Sequence, residues 1–432
     1  MPNNPFKPSR QFPLPLSPEP EEKPGLRSRA SKKIPLLFRK EVPEIPSTTY
    51  ATFGVYKYPA KFIPQVIAYV LREYAQPGMK IFDPFAGYGT VGVICRIYGC
   101  DYELWDLNPI LETIHSCATA RYFNFEWREF LEEMKNFPDQ FYPRWSNLDY
   151  WHPPEFIPLL SRSWAYVHSL EKRYKRFFLI PLLKTTRYFS YSDEKVHKLY
   201  RSKYSRKKIR QLLDSDWEEI FYRMLERELI QFVKKLWEYQ QLTPQKVKFK
   251  IKAGIDTLKE DLSEPVDILI TSPPYLQAQE YLRSTKLELF WLGYEEEKIR
   301  QLSKLEIPYR KVEKMEIFSE KYFKLRKKIK EENLLQLYDN YFNSILSVLS
   351  RLSKKVENRL AIFVGPAKIR ELAVEIDDII VEHLSYFGWQ HELTLIDKIV
   401  ARVMFESKIN PASKREDSRI KTEHLIILKR KK

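Results

Sequence analysis

The segment that most constrains the fold is a glycine turn between an apolar strand and a helix. The strand reads MKIFDPF, the turn contains Gly87 and Gly89, and the helical pattern TVGVICRIYG follows. A second short strand, YELWD, ends at Asp106. Strand, helix and strand in this order predict an α/β fold with helices on both faces of a largely parallel sheet. Open sheets of this kind bind ligands at the carboxyl ends of their strands.

The strand patterns resume only after a long interruption. They return at KIKAGIDTL and VDILITSPPY from about residue 250, and at RLAIFVG and EHLIILKR near the end of the chain. We therefore predict a sheet domain made of residues 49–114 and 246–432. The aromatic and basic stretch over 115–245 has helical periodicity and predicts an inserted helical module. Residues 1–48 are rich in proline and charge, which predicts an extended or disordered arm.

Two carboxylates suggest what the glycine loop binds. Asp83 can hold an ammonium group, such as that of S-adenosylmethionine, by a charge-assisted hydrogen bond. Asp106 ends the next strand, where an acid can bond a ribose diol. A dinucleotide would favour G-x-G-x-x-G, and we interpret Val91-Gly92 as out of register with that spacing. The alternative is that the glycines only form a tight turn and that Asp106 caps the next helix.

A second loop follows the apolar strand VDILI and reads Thr271-Ser272-Pro273-Pro274-Tyr275. Its prolines lack N–H groups and stiffen the chain, so that carbonyl groups are left as acceptors. The exocyclic amine of a base is a poor nucleophile because its lone pair is delocalised into the ring. Ser272 Oγ and the Pro273 carbonyl can accept its two N–H bonds, which lets the nitrogen become pyramidal. Tyr275 would stack on a flipped base. The alternative is a rigid turn without chemistry.

Together the two loops resemble the paired signatures of the amino-methylating DNA methyltransferases. FDPFAGYGT and TSPPY carry the likeness, and TSPPY is similar to the cytosine-N4 branch. KYPAKFIP, at residues 57–64, resembles the family motif upstream of the glycine loop, and AGID, at 253–256, resembles its GDA element. The matches cover about 55–110 and 250–295 well, and the arm and insertion hardly at all. Ile255 and Trp105 depart from the family pattern.

The resemblance implies a Rossmann-like methyltransferase sheet, S-adenosylmethionine as cofactor, and double-stranded DNA as substrate. It favours cytosine N4 over adenine N6. The catalytic residues would be Ser272, Pro273, Pro274 and Tyr275. The cofactor residues would be Lys61, Phe62, Asp83, Pro84, Phe85, Ala86, Gly87, Gly89, Thr90, Asp106, Asp256 and Thr271. The order of the motifs is similar to the α arrangement, which makes the insertion the target-recognition module.

The charge of the chain fits a polyanionic partner. Lys and Arg number 73 against 57 Asp and Glu, a formal net charge of +16. Phosphate neutralisation is the usual source of nucleic-acid affinity. The predicted phosphate contacts in the insertion are Arg187, Lys198, Arg201, Lys203, Arg206 and Lys207. A solvated helical decoration is the alternative. A cognate restriction endonuclease is a further candidate partner.

The loops and cysteines also bear on three other classes of protein. A cytosine-C5 methyltransferase needs a cysteine nucleophile after proline, whereas Cys95, Cys100 and Cys117 follow Ile, Gly and Ser. A methyltransferase of RNA base amines stays open, although Ser272 replaces the Asn or Asp of its NPPY or DPPY loop. A non-catalytic nucleic-acid-binding protein of the same fold also stays open.

Three further expectations concern metals, membranes and location. The histidines show no HxH or HExxH spacing, so we expect no metal site. Since no apolar stretch approaches about 20 residues, we expect no membrane span. The N-terminal residues lack a signal or transit pattern, which favours the cytoplasm.

Overall fold

The computed structural model describes residues 33–196, 198–276, 280–399 and 421–431. Its strands are β1 (Lys33–Pro35), β2 (Lys80–Asp83), β3 (Asp101–Asp106), β4 (Phe249–Ala253), β5 (Val266–Thr271), β6 (Val356–Val364), β7 (Ala367–Ile369), β8 (Leu372–Val374), β9 (Trp389–Lys398) and β10 (Thr422–Arg430).

Fifteen α-helices lie between these strands in the described ranges, and six of them follow one another in the insertion. They are α1 (Phe38–Glu41), α2 (Pro64–Tyr74), α3 (Thr90–Tyr98), α4 (Ile110–Ala118), α5 (Trp127–Lys135), α6 (Leu148–Trp151), α7 (Ile157–Ser169), α8 (Lys172–Tyr188), α9 (Lys203–Leu213), α10 (Trp217–Gln241), α11 (Tyr281–Trp291), α12 (Glu296–Ser303), α13 (Glu320–Arg326), α14 (Glu332–Ser353) and α15 (Ile376–Tyr386).

Eight strands form one sheet in the order β1-β9-β10-β6-β5-β2-β3-β4. Strands β6, β5, β2, β3 and β4 are parallel, and β10 runs antiparallel to both of its neighbours. From β2 the chain proceeds outward through β3 to β4, and then crosses to β5 and β6 on the other side. This is the Rossmann arrangement, with its topological switch between β2 and β5. The Rossmann-like α/β fold predicted from the sequence is confirmed.

The sheet separates two hydrophobic cores because successive side chains of a strand point to opposite faces. Ile81 of β2 enters one core and Phe82 the other, and Ile270 and Leu269 of β5 divide in the same way. Helices α2, α3, α4 and α11 pack in the first core, and α13, α14 and α15 pack in the second. Both faces of the sheet are therefore covered by helices, as a largely parallel sheet requires.

The chain between β3 and β4 is helical, in agreement with the periodicity of the insertion. Helices α5 to α10 occupy most of 127–241. Their buried side chains, such as Leu160, Phe177 and Leu225, belong to the same hydrophobic cluster as Ile81 and Leu104 of the sheet. Among the described residues, the insertion therefore packs directly on one face of the sheet domain and shares its core.

The segment over 33–48 is folded, which contradicts the predicted arm for that part of the chain. Strand β1 pairs in parallel with β9 at the edge of the sheet. Phe38, Val42 and Ile45 are at most 1% exposed. These three apolar side chains anchor the segment. The prediction of an arm rested on the proline and charge content of the whole segment, which does not register three separate apolar residues. Residues 1–32 of the predicted arm lie outside the described part of the chain.

Candidate functional site

A cleft opens at the carboxyl edge of the sheet. It lies at the topological switch between β2 and β5, where α/β sheets bind ligands. Six residues predicted from the sequence line it: Phe85, Gly87, Asp106, Asp256, Ser272 and Pro274. The fold thus brings the glycine loop and the TSPPY loop to one cavity, although they are separated by nearly 190 positions.

The glycine loop depends on two backbone conformations that side chains rarely adopt. Gly87 has φ +52° and Gly89 has φ +83°. A Cβ atom on Gly87 would lie 3.1 Å from Tyr58 Cε1, and one on Gly89 would lie 3.0 Å from His115 Nδ1. The N–H of Gly87 donates to Asp106 Oδ2 at 2.7 Å. The loop is therefore tied to the end of the next strand.

Gly92 corrects one of our sequence interpretations. A Cβ atom at Gly92 would lie 2.6 Å from Tyr102 Cε2, so this glycine allows α3 to pack closely on the sheet. Gly87, Gly89 and Gly92 have the spacing G-x-G-x-x-G, and the interpretation of Gly92 as out of register was wrong. The glycine spacing does not disfavour a dinucleotide. The preference for S-adenosylmethionine rests on the acidic groups of the cleft and on the TSPPY loop.

Asp83 joins the two loops from behind the cleft. Its Oδ1 accepts hydrogen bonds from Thr271 Oγ1 at 2.6 Å and from the N–H of Phe85 at 3.0 Å. The residue is 1% exposed, and burial raises the pKa of its carboxyl to about 7, although both hydrogen bonds act to lower the pKa. In this position Asp83 fixes the spacing between the loops. The cleft presents Asp106 to a ligand instead.

Two carboxyl groups in the cleft wall have raised pKa values. Burial raises the pKa of Asp106 to about 6, against hydrogen bonds from the N–H groups of Asn108 and Gly87. Burial also raises the pKa of Glu306 to about 7, and its Oε1 accepts from the N–H of Leu282 at 2.9 Å. No local sequence pattern marks Glu306, which the loop after α12 brings to the cleft. A cationic ligand would favour the ionised form of both groups.

Asp256 presents an acceptor in the same cleft. Its Oδ1 accepts from Arg310 Nη1 at 2.6 Å, an ion pair between residues that are 54 positions apart. Its Oδ2 is buried and has no hydrogen-bond partner among the described residues. Because a buried acceptor without a partner is costly, Oδ2 suits the N–H group of a bound ligand. Arg310 was not predicted, because no local pattern marks it.

Lys61 and Phe62 support the wall without lining it. The Lys61 ammonium donates to the carbonyl oxygens of Thr48 and Phe53, and burial lowers its pKa to about 8. Phe62 stacks on Phe363, with ring centroids 5.4 Å apart. Their neighbours in the same motif, Tyr58 and Ala60, reach the cleft. The other predicted cofactor residues do not line the cleft: Pro84, Ala86 and Gly89 lie in the glycine loop, Thr90 begins α3, and Thr271 ends β5.

The TSPPY loop places its members at different depths. Ser272 and Pro274 line the cleft, whereas Pro273 is buried. Tyr275 is partly exposed, and its hydroxyl donates to Glu423 Oε1 on β10. Tyr281, which also lines the cleft, begins α11 shortly after the loop. The loop therefore offers a serine hydroxyl and a rigid backbone beside the acidic wall.

The six basic residues predicted to contact phosphates lie in different settings. Arg187 is engaged inside the protein: it forms an ion pair with the buried Glu288 at 2.7 Å and donates to the Ser284 carbonyl. Arg187 also lines the groove described below, so its predicted phosphate contact stays a prediction. The guanidinium of Arg201 lies 4.3 and 4.1 Å from the ring centroids of Tyr150 and Tyr191. Arg201 also donates to the carbonyl oxygen of Tyr150, and its side chain is only partly exposed.

The other four predicted cations are exposed. Lys198 lies in the loop before α9, and Lys203, Arg206 and Lys207 lie on that helix. Arg210, which was not among the predicted contacts, is exposed too and continues the spacing i, i+3, i+4 and i+7. The four helical cations therefore form one stripe on α9, since residues at this spacing share a helix face. We call it the α9 stripe.

A groove of about 1000 Å³ adjoins the cleft. The segment over 56–60 is the shared wall, because Tyr58 and Ala60 line the cleft while Tyr56, Lys57 and Pro59 line the groove. The opposite side of the groove comes from the insertion and includes Lys184, Tyr188, Glu194, Arg227 and Glu228. The groove lies between the sheet domain and the insertion.

The described ranges contain no group of three or more His, Cys, Asp or Glu side chains arranged to hold a metal ion. None of the helices in the same ranges is long and apolar enough to cross a membrane.

The chain is similar to several Type II methyltransferases at low identity. It is 26% identical to M.MvaI of Kocuria varians over 286 residues, which cover 59% of this chain and 61% of that protein. It is 23% identical to M.BsoBI of Geobacillus stearothermophilus over 359 residues, or 68% and 70% of the two chains. It is 21% identical to M.AvaI of Nostoc sp. over 374 residues, or 76% and 77%.

These relatives support the family inferred from the motifs, the DNA methyltransferases. The aligned region spans about three fifths of M.MvaI. No family model matches the chain. The solved rRNA methyltransferase AviRa of Streptomyces viridochromogenes aligns over 87% of this chain and 88% of its own, at 9% identity. Its TM-score of 0.28 is too low to support an argument about fold.

Proposed function

We propose that this protein is an S-adenosylmethionine-dependent DNA methyltransferase that modifies an exocyclic amine, with cytosine N4 as the first choice and adenine N6 as the second. The observation that carries the proposal is the single cleft shared by Ser272, Gly87 and Asp106. A transfer reaction needs its two reactants held within a few ångströms of each other. Neighbouring strands are about 4.8 Å apart, so the ends of β2 and β5 can hold both reactants.

The residues of the cleft fit S-adenosylmethionine. Asp106 offers carboxylate oxygens to ribose hydroxyls, and the unpartnered Asp256 Oδ2 suits the amine of an adenine ring. Glu306 adds a second acidic group to a wall that a cationic ligand would face. When bound, this cofactor supplies a methyl group carried on a positively charged sulfur.

The protein side of the reaction is hydrogen-bond acceptance by the TSPPY loop. Ser272 Oγ and the carbonyl oxygen of Pro273 accept the two N–H bonds of the base amine, so that the nitrogen becomes pyramidal and directs its lone pair into the cleft. Pro273 and Pro274 hold these acceptors in place because their φ angles are fixed. Tyr275 provides the aromatic surface for the base.

We place the DNA surface on the α9 stripe and on the groove that adjoins the cleft. Exposed cations at one face of a helix can each neutralise a phosphate. The segment over 56–60 separates the groove from the cleft. Phosphate contacts fix the position of the protein on the duplex without reading its sequence. The role of the insertion as the target-recognition module remains part of the proposal.

The direct test is to identify the product. DNA and RNA from cells expressing the protein are digested separately and their nucleosides are analysed by mass spectrometry, with cells that carry the empty vector as the control. N4-methylcytosine in DNA is the expected result. N6-methyladenine in DNA would change the base but keep the mechanism, whereas methylation confined to RNA would refute the choice of substrate.

Replacing the α9 stripe by glutamine is expected to weaken DNA binding and flatten its salt dependence. Each lost phosphate contact should reduce the slope of log K against log salt by about 0.9. The variant is Lys203→Gln, Arg206→Gln, Lys207→Gln and Arg210→Gln, and the measurement is fluorescence anisotropy from low to moderate salt.

A matched control removes the same charge from the other face of the sheet. Lys324, Lys327, Lys328 and Lys330 are exposed in and after α13, which packs in the second core. Their fourfold change to glutamine lowers the net charge equally and should leave the slope nearly unchanged. Equal effects of both variants would mean that net charge alone, and not the stripe, governs binding.

Cofactor affinity is expected to rise with pH. The free protein holds the pKa of Glu306 near 7 and that of Asp106 near 6, and a positively charged ligand favours their ionised forms. Binding should therefore release protons, and affinity should fall about tenfold between pH 8 and pH 6 if ionised Glu306 is required. Calorimetry in buffers of different ionisation enthalpy measures the release. Glu306→Gln should flatten the profile, and proton uptake in the wild type would contradict the prediction.

A further inference from the structure

We propose that Glu423 is a positioning residue, which holds the ring of Tyr275 in the orientation that receives the target base. This inference rests on the proposed function of the TSPPY loop. Tyr275 was predicted from the sequence, whereas Glu423, which lies 148 positions later in the chain, was not.

The sheet topology brings Glu423 to the catalytic edge. Thr271 of β5 pairs with Ile362 of β6, and Ile362 pairs with Ile426 of β10, so these three residues form one row across the sheet. Strand β10 is antiparallel to β6, and its first residues therefore lie at the edge where the parallel strands end. Glu423 precedes Ile426 by three residues, about 10 Å along the strand. The path from Ile426 back to Glu423 therefore runs in the same direction as the path from Thr271 to Tyr275.

The contact fixes the ring at both ends. The hydroxyl of Tyr275 donates to Glu423 Oε1, while the backbone beside the ring is anchored by the buried residues Pro273 and Leu276. Burial and the neighbouring carboxyl group hold the pKa of the Tyr275 phenol well above its usual range, so the hydroxyl stays a donor. Without Glu423 the side chain could rotate about its χ1 bond, and its stacking surface would no longer be preorganised.

The position of Glu423 is not one that stability of the fold would favour. Glu423 stands opposite Asp397 of β9 in the antiparallel register, and like charges at opposed positions destabilise a strand pair. Burial raises the pKa of both carboxyl groups, whereas the positive charge of Arg39 on α1 acts to lower both. A sequence selected only for packing would have no reason to place a second acid here. Local conflicts of this kind are typical of functional sites.

A double-mutant cycle tests whether Glu423 acts through the tyrosine hydroxyl. The activity is transfer of radiolabelled methyl groups from S-adenosylmethionine to unmethylated DNA of high sequence complexity. Glu423→Ala and Tyr275→Phe should each lower kcat about tenfold, because each removes the same charge-assisted hydrogen bond. The double variant should be no slower than either single variant. Glu423→Gln keeps an acceptor and should recover most of the rate, and the affinity for S-adenosylmethionine should stay constant throughout.

A second measurement does not depend on turnover. Replacing Tyr275 by 3-fluorotyrosine gives a single fluorine resonance, which should be sharp in the wild type and in Glu423→Gln but shifted or broadened in Glu423→Ala. Unaltered resonances in all three would overturn the proposal, as would multiplicative losses in the double variant. If the wild type transfers no methyl groups to DNA, the proposed function fails, and the fluorine spectra still decide whether Glu423 fixes the ring.

Discussion

Asp106→Asn is expected to weaken S-adenosylmethionine binding between about tenfold and a hundredfold. Asp106 is the carboxylate at the end of β3 that both lines the cleft and holds the glycine loop, through the N–H of Gly87 at 2.7 Å. Its other oxygen accepts the N–H of Asn108, also at 2.7 Å. Asparagine keeps one acceptor but loses the charge. Hydrogen bonds to charged groups contribute about 1.5 to 3 kcal/mol, which corresponds to the expected loss.

The same strand provides the control. Asp101 begins β3 at the opposite edge of the sheet, where it accepts a hydrogen bond from the N–H of Lys248 at 2.8 Å. Asp101→Asn makes the same chemical change away from the cleft and should leave cofactor affinity unchanged. Calorimetry gives the affinities, and thermal unfolding shows whether each variant is folded. Wild-type affinity in a folded Asp106→Asn variant would exclude Asp106 from the cofactor site.

Asp83 should behave differently from Asp106, although both acids end neighbouring strands. From the sequence, Asp83 was the expected partner of the cofactor ammonium. In the structure it bonds Thr271 Oγ1 and the N–H of Phe85 behind the cleft. Asp83→Ala should therefore lower thermal stability as well as cofactor affinity, because it leaves a buried donor unpaired and loosens both loops.

The parts of the site that follow strands could be predicted from the sequence. Gly87 lies in the short loop after β2, and Ser272 comes directly after β5; the carboxyl ends of parallel strands meet at one edge of the sheet. Their convergence follows from the pattern alone. Glu306 and Arg310 could not be found in this way, because they lie in a loop without periodicity and meet partners far away in the chain.

The resemblance identified the motif at 57–64, upstream of the glycine loop, but did not predict which of its side chains face the cleft. The segment over 56–60 lies between two cavities, with Tyr58 and Ala60 on one side and Tyr56, Lys57 and Pro59 on the other. Which side a residue faces in such an extended segment depends on its backbone angles, which the motif does not specify. Lys61 and Phe62 were predicted instead, and both pack against other parts of the protein.

Charge alone also could not separate structural from surface cations. Arg187 and Arg206 belong to the same basic run, yet Arg187 pairs with the buried Glu288 whereas Arg206 is exposed on α9. The apolar residues Ile209 and Leu212 mark the inner face of α9, and the exposed stripe follows from their spacing. For Arg187 the decisive partner lies 101 positions away, on α11.

Ser272→Ala is expected to lower the rate of methyl transfer by about one to two orders of magnitude while cofactor affinity stays the same. Ser272 lines the cleft at the end of β5, beside the loop proposed to hold the cofactor. Its hydroxyl accepts an N–H bond of the base most strongly as the amine becomes pyramidal. Loss of an interaction made mainly in the transition state reduces kcat without changing binding.

Tyr275→Ala should reduce activity through a different step. Stacking of a base on an aromatic ring contributes about 1 to 3 kcal/mol, so removal of the ring should weaken the capture of a flipped base. We expect a higher KM for DNA together with a lower kcat, in contrast to the kcat effect of Ser272→Ala. Ser385→Ala, which removes a hydroxyl from α15 on the other face of the sheet, should change neither constant.

The identity of the product then tests the choice of base separately from the mechanism. Ser272 is a neutral acceptor in a loop that resembles the cytosine-N4 branch, and both candidate bases present a conjugated amine to the same geometry. Single-turnover transfer by wild type and Ser272→Ala is therefore followed by digestion and mass spectrometry. N6-methyladenine, formed with the same dependence on Ser272, would refute the assignment of cytosine and leave the acceptor role intact. Full transfer rates in Ser272→Ala would refute the acceptor role, whichever base carries the methyl group.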